Sequence, residues 1–234
     1  MAQKRCPPAS SEDYIAARSK LLDAEFALRN QIERVAELRR ALPPGATMKE
    51  YVFKEVTAES KDGSHNGIRE TTLADLTADG RSLAIYHLMF APGDHAPCPM
   101  CSSFIDGLNG VGQHLSQRMA FAVIAKAPAD HLATYAAKRG WNNIRFLSSH
   151  ESDFNHDMNM ETADKSQLPG LSVFKKDQET GNVRHIYTAS ANFEDGSERG
   201  LDLVNPLWNM MDLLPEGRDP TWYPADTYVK MARV

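Results

Sequence analysis

Leu83-Ala84-Ile85-Tyr86-His87-Leu88-Met89-Phe90, followed eight residues later by Cys98-Pro99-Met100-Cys101, is the stretch that decides the fold. The first part is an almost unbroken apolar run of strand length, as expected for a strand buried on both faces. Pro92, Gly93 and Pro97 then interrupt regular structure. From Cys101 onward Phe104, Leu108, Val111 and Leu115 recur at steps of four, three and four, one stripe along a helix. The cysteines therefore open a helix at the end of a buried strand. Unpaired backbone N–H groups and the positive end of the helix dipole favour a thiolate there. Cys98 is expected to be the attacking thiol and Cys101, one turn on, the resolving thiol, with Pro99 suited to the first helical turn. Two buried structural thiols, or a metal site, are the alternatives at this point.

The sequence has 234 residues, is 42% apolar and carries a formal net charge of −5. Such a chain can build a normal core, and its acidity disfavours nucleic-acid and anionic-membrane binding. The longest apolar run is only strand length, so no membrane span is expected. The basic start, Met1 to Arg5, is followed by no apolar stretch, which points to a cytoplasmic protein rather than a secreted one. With three cysteines in a reducing compartment, a structural disulfide framework is not expected, and Cys6 reads as incidental.

Working outward, residues 11–42 contain no Gly or Pro, and Tyr14, Leu21, Leu28, Val35 and Leu42 recur every seven residues. At ~1.5 Å per residue this predicts a helix roughly 45 Å long. It either folds back along its own domain or forms a packing arm in a homodimer. Pro43-Pro44-Gly45 ends it. Beyond lie a short strand at Tyr51-Val52-Phe53, a turn-rich loop over Lys61–Gly67 and a helical turn at 72–76. The strand Ala120–Ala125 completes a βαβ unit with Leu83–Phe90. A helix over about Ala129–Arg139 and a strand at Arg145–Ser148 follow, then a hairpin of Leu171–Lys175 with Val183–Tyr187 turning at Glu179–Asn182. A last helix is expected from about Gly200 to Leu213. The domain expectation is a helical arm over 1–45, an α/β domain over 46–215 and a tail over 216–234.

The order of elements resembles the thioredoxin fold: a central mixed sheet flanked by helices, here with a long N-terminal helical extension. Tyr86-His87-Leu88-Met89-Phe90, Cys98-Pro99-Met100-Cys101-Ser102, Arg139-Gly140-Trp141, Ser152-Asp153-Phe154-Asn155-His156-Asp157, Gly170-Leu171-Ser172-Val173-Phe174 and His185-Ile186-Tyr187-Thr188 resemble the phrases of a bacterial thioredoxin-like family of unknown function. That family is described as predicted dithiol-disulfide oxidoreductases. The resemblance covers about Tyr14 to Asp219 and implies Cys98 and Cys101 as the redox pair, with a protein or small-molecule disulfide or thiol as substrate and no cofactor. It also implies a cis-proline before the hairpin, a place that Pro169 fills. Peroxiredoxins carry Thr or Ser three residues before their reactive cysteine; here that position is His95, which counts against a thiol peroxidase. His95 is instead expected to support the Cys98 thiolate.

A non-enzymatic binding module on the same fold, for copper or a protein partner, is the second reading. His95, Met100 and the thiols are soft ligands, yet no second cysteine pair completes a zinc site, and no metal is assigned. The polar group His150, Glu151, Asp153, His156 and Asp157 reads as a capped turn with Phe154 buried. His87, inside an apolar strand, is expected to be a hydrogen-bonded core residue. Gly107, Gly110 and Gly112 lie inside a helix in the wrong order for a dinucleotide loop and suggest close packing.

Overall fold

The computed structural model describes residues 6–57 and 67–228, so the turn expected over 61–66 lies outside the described residues. The chain divides into two compact units, Met1–Pro43 and Pro44–Val234. The first is built on α1 (Glu12–Arg40). Ser11 caps it, its hydroxyl accepting the Tyr14 N–H at 3.2 Å. Glu12 and Asp13 stand at its positive end and Arg39 and Arg40 at its negative end, each opposing the local helix dipole. Tyr14, Leu21, Leu28 and Leu42 of the heptad stripe are exposed. Among the described residues no helix is long and apolar enough to cross a membrane.

The second unit runs β1 (Val52–Thr57), β2 (Gly67–Thr72), α2 (Leu73–Leu76), β3 (Leu83–Leu88), α3 (Pro99–Gly110), α4 (Gly112–Leu115), β4 (Ala120–Ala125), α5 (Ala129–Arg139), β5 (Arg145–Ser148), α6 (Phe154–Asp157), β6 (Gly170–Lys176) and β7 (Val183–Ser190). A 3₁₀ turn at Asp202–Val204 and α7 (Pro206–Met211) follow. One seven-stranded sheet holds the strands in the order β2-β1-β5-β4-β3-β6-β7. β3, β4 and β5 are parallel, as βαβ connections require, while β6 and β1 flank them antiparallel. This mixed sheet, with the cysteines heading the helix after the interior strand β3, is thioredoxin-like in its arrangement.

Both faces of β3 and β4 are covered, and every residue of the two strands is buried. Alternation sends Ala84, Tyr86 and Leu88 to a core shared with Phe104 and Ile105 of α3 and Leu132 of α5. Leu83 and Ile85 join Phe53, Leu73, Leu76, Phe154 and Phe174 on the other side. Glu55, buried in β1, is bonded by Arg145 at 2.6 and 2.9 Å and by Arg69 at 2.9 Å, which ties β5 and β2 to the strand between them.

Some expectations are corrected. The Leu168–Pro169 peptide is trans, as are the other described peptides; trans is the ordinary preference even before proline. The helix expected over 200–213 breaks, because Pro206 has no N–H to continue it and forces Asn205 into an extended conformation. Asn205 then caps α7 by accepting the Leu207 N–H at 2.9 Å. The long stripe after Cys101 is split between α3 and α4 at Val111, and Val111 itself is exposed. Gly112 sits there because a Cβ would lie 2.5 Å from the Asn143 carbonyl oxygen. α5 stops at Gly140, which is left-handed at φ 71°.

Candidate active site around Cys98 and Cys101

β3 delivers the chain to the site and α3 presents it. Cys98 is the N-cap of α3; its N–H donates to the Met89 carbonyl at 2.9 Å, and its carbonyl accepts the Ser102 N–H at 3.0 Å. Pro99 occupies the first helical position, where its missing N–H leaves nothing unpaired. This anchoring leaves the Cys98 sulfur partly exposed while Cys101, one turn inward, is 1% exposed. Both residues are free thiols.

The two thiols differ sharply in acidity. The Cys101 thiol donating to Cys98 is the largest influence on the pair, and it brings Cys98 down to about 5 against the opposing effect of burial. The backbone N–H groups of Cys101 and Met100 add to this, although neither approaches closely enough to cap the helix by a hydrogen bond. The Tyr223 hydroxyl also contributes, 3.5 Å from the sulfur. The same donation, together with burial, raises Cys101 well above the ordinary thiol range. The buried Tyr86 hydroxyl faces Cys101 and is itself pushed up by burial first and by the thiols next. At neutral pH the arrangement holds one outward thiolate and one inward thiol.

A cleft of about 460 Å³ opens in front of the Cys98 sulfur, lined by Met100, Phe104, Pro169, Trp208, Trp222 and Tyr223 among others. Pro169 thus stands beside the thiols although its peptide is trans. His95 is exposed in the loop before Pro97 and does not line the cleft. Among the described residues no three His, Cys, Asp or Glu side chains gather as metal ligands. His87 lies in the core, stacked on Phe154, its Nε2 2.9 Å from the Ser172 hydroxyl. Burial pushes its pKa down to about 3, so it is neutral.

Tyr223 and Tyr86 are the site residues that sequence reading missed. Tyr86 was hidden as one aromatic in an apolar strand. Tyr223 reaches Cys98 from a sequence distance of 125 residues, and no local pattern encodes such an approach.

Among solved structures the chain is similar to a reduced 2-Cys peroxiredoxin from Plasmodium vivax, at 16% identity and TM-score 0.48, covering 72% of this chain and 96% of that one. It is also similar to AhpC from Mycobacterium bovis, at 9% identity and TM-score 0.49, covering 78% and 98%. A third similar structure is peroxidoxin BcpB from Mycobacterium tuberculosis, at 13% identity and TM-score 0.48, covering 70% and 95%. No curated protein matches the sequence. A family model described as "Bacterial protein of unknown function (DUF899)" matches residues 3–232. With nearly the whole chain under that match, the protein belongs to the bacterial DUF899 family.

Proposed function

We propose that the protein is a cytoplasmic thiol-disulfide oxidoreductase in which Cys98 is the nucleophile and Cys101 the resolving thiol. The observation that carries this reading is the pairing of a partly exposed sulfur at the head of α3 with a second, buried thiol one turn behind it. The Cys98 thiolate attacks one sulfur of a disulfide R–S–S–R, forming Cys98–S–S–R and expelling RS⁻, which takes a proton from solvent. Cys101 then attacks the Cys98 sulfur and gives its proton to the second departing thiolate. Two RSH leave for one protein disulfide, and an external dithiol returns the pair to its reduced state. The high pKa of Cys101 keeps it quiet until Cys98 is no longer a thiolate, which orders the two attacks.

The test is to mix reduced protein with a disulfide and map the product by mass spectrometry. The expected product is a Cys98–Cys101 linkage, and Cys101→Ser should instead accumulate the Cys98 mixed disulfide. A pair that stays fully alkylatable after excess disulfide defeats the reading.

A further inference from the structure

Resting on the disulfide-exchange reading, we infer that the Cys98 cleft takes a small, uncharged, apolar disulfide, and that the segment Asp219–Asp226 selects it.

This segment is tied down on both sides of the sulfur. Before it, Arg218 is ion-paired to Asp202 at 2.8 Å and Asp212 at 2.6 Å and lies 5.2 Å over the Trp208 ring. At its far end the Asp226 carboxylate accepts the Tyr135 hydroxyl at 2.6 Å, and the Asp226 carbonyl accepts Arg139 at 2.7 Å. Between the anchors Trp222 packs edge-on to Trp208 at 5.9 Å, and Tyr223 sets its hydroxyl on Cys98. A folded protein bringing a disulfide to Cys98 would have to displace this strap. The space behind it, about 460 Å³, falls in the range of small-molecule sites.

The backbone beside the thiols offers a peptide no N–H with which to pair. The Leu168 N–H is donated to the Met160 carbonyl at 2.9 Å, Pro169 has none, and the Pro169 carbonyl accepts the Ala191 N–H at 3.3 Å. An extended chain finds no free donor there with which to add a strand.

Charge narrows the substrate further. The cleft's charged lining is Glu198, Asp202 and Asp219 against Arg199 and Arg218. Both guanidiniums are committed to Asp202 and Asp212. A substrate carboxylate would have to compete with Asp202 and Asp212 for these cations, and an anionic disulfide such as glutathione disulfide meets a lining with one more carboxylate than guanidinium. Phe104, Trp208, Trp222, Met89 and Met100 offer apolar contact instead.

The experiment uses the reduced full chain and three disulfides: dithiodipyridine (uncharged and aromatic), dithiobis-nitrobenzoate (similar in size, with two carboxylates) and insulin. Each rate is divided by that reagent's rate with free cysteine. The uncharged reagent is expected to lead the dianion by about tenfold or more, with insulin slowest. Asp226→Asn, and independently Tyr135→Phe, which removes a single hydroxyl, should raise the insulin rate several-fold relative to dithiodipyridine. Equal normalised rates for the uncharged and dianionic reagents, or an insulin rate matching dithiodipyridine in the intact chain, overturn the inference while leaving disulfide exchange standing. If no disulfide oxidises Cys98, the exchange reading itself falls, and the inference with it.

Discussion

Two of the polar clusters in the second unit are built in opposite ways. Around α6, Ser149 donates to Asn155 Oδ1 at 2.6 Å, Asn155 donates to Gln167 at 2.7 Å, and Gln167 donates to Glu161 at 2.9 Å. All four residues are buried, and each link has a partner in good geometry. At the head of α3 the Cys98 sulfur is partly exposed, weakly bonded by Tyr223, and held as a thiolate by neighbours that leave it open to a cleft. The first cluster spends its polar groups on one another and fixes the loop between β5 and β6. The second leaves one sulfur open to the cleft. Satisfaction marks structure, and incomplete satisfaction at an accessible point marks chemistry.

The sharpest way to break that contrast is to remove the central member of each cluster. Cys98→Ser should lower the rate of disulfide reduction by about a thousandfold or more, since the hydroxyl is not ionised at neutral pH. Asn155→Ala should leave the rate per folded molecule intact. Should Asn155→Ala lose activity while its fold is retained, the assignment of the first cluster to structure fails.

His87 supplies an intermediate case, buried like the first cluster but with its Nδ1 unpartnered. Its folded pKa of about 3 lies below the ordinary histidine value of 6.5. The unfolded chain therefore binds the proton first, and stability is full above about pH 6.5 and lost as pH falls toward 3. The slope should approach about 1.4 kcal/mol per pH unit within that window. Urea titrations at several pH values should show this acid limb, flattened in His87→Leu; an unchanged limb in the variant would assign it to other groups.

Asn155→Ala should cost about 3 kcal/mol in a urea titration, because Ser149 and Gln167 are left buried without their shared partner. Cys98→Ser should cost less than about 1 kcal/mol at a half-open position. A reversal of that order would mean that the thiol is the structural group.

The smallest effect concerns Tyr223. Alkylation of Cys98 should be half-maximal near pH 5 and level above about pH 7. Tyr223→Phe should move the midpoint upward by about half a unit to one unit, since one donor to the thiolate is removed and the others remain. A midpoint that does not move would reduce Tyr223 to a wall of the cleft.

The contrast also explains what could be read from the sequence. β3, β4 and the head of α3 were legible because full burial forces apolar runs and a proline such as Pro99 is accommodated at a first helical position. β2 was not: Gly67-Ile68-Arg69-Glu70-Thr71-Thr72 is an edge strand whose charged residues face solvent or Glu55, so no apolar alternation announces it. The trans peptide at Pro169 and the approach of Tyr223 to Cys98 are tertiary outcomes. The second depends on anchors at Arg218 and Asp226, and neither has a local signature.

The distance along the chain between Cys98 and Tyr223 also sets a timetable for the thiol. A ribosome adding roughly 5–20 residues per second needs on the order of ten seconds to travel from one to the other. The β6–β7 hairpin is made within that interval and the closing segment only at its end, so until then the newborn thiol lacks its phenolic donor and its cover. The Cys98 thiol thus gains its main donor, Cys101, almost at once and its last donor and its cover only at the end of synthesis.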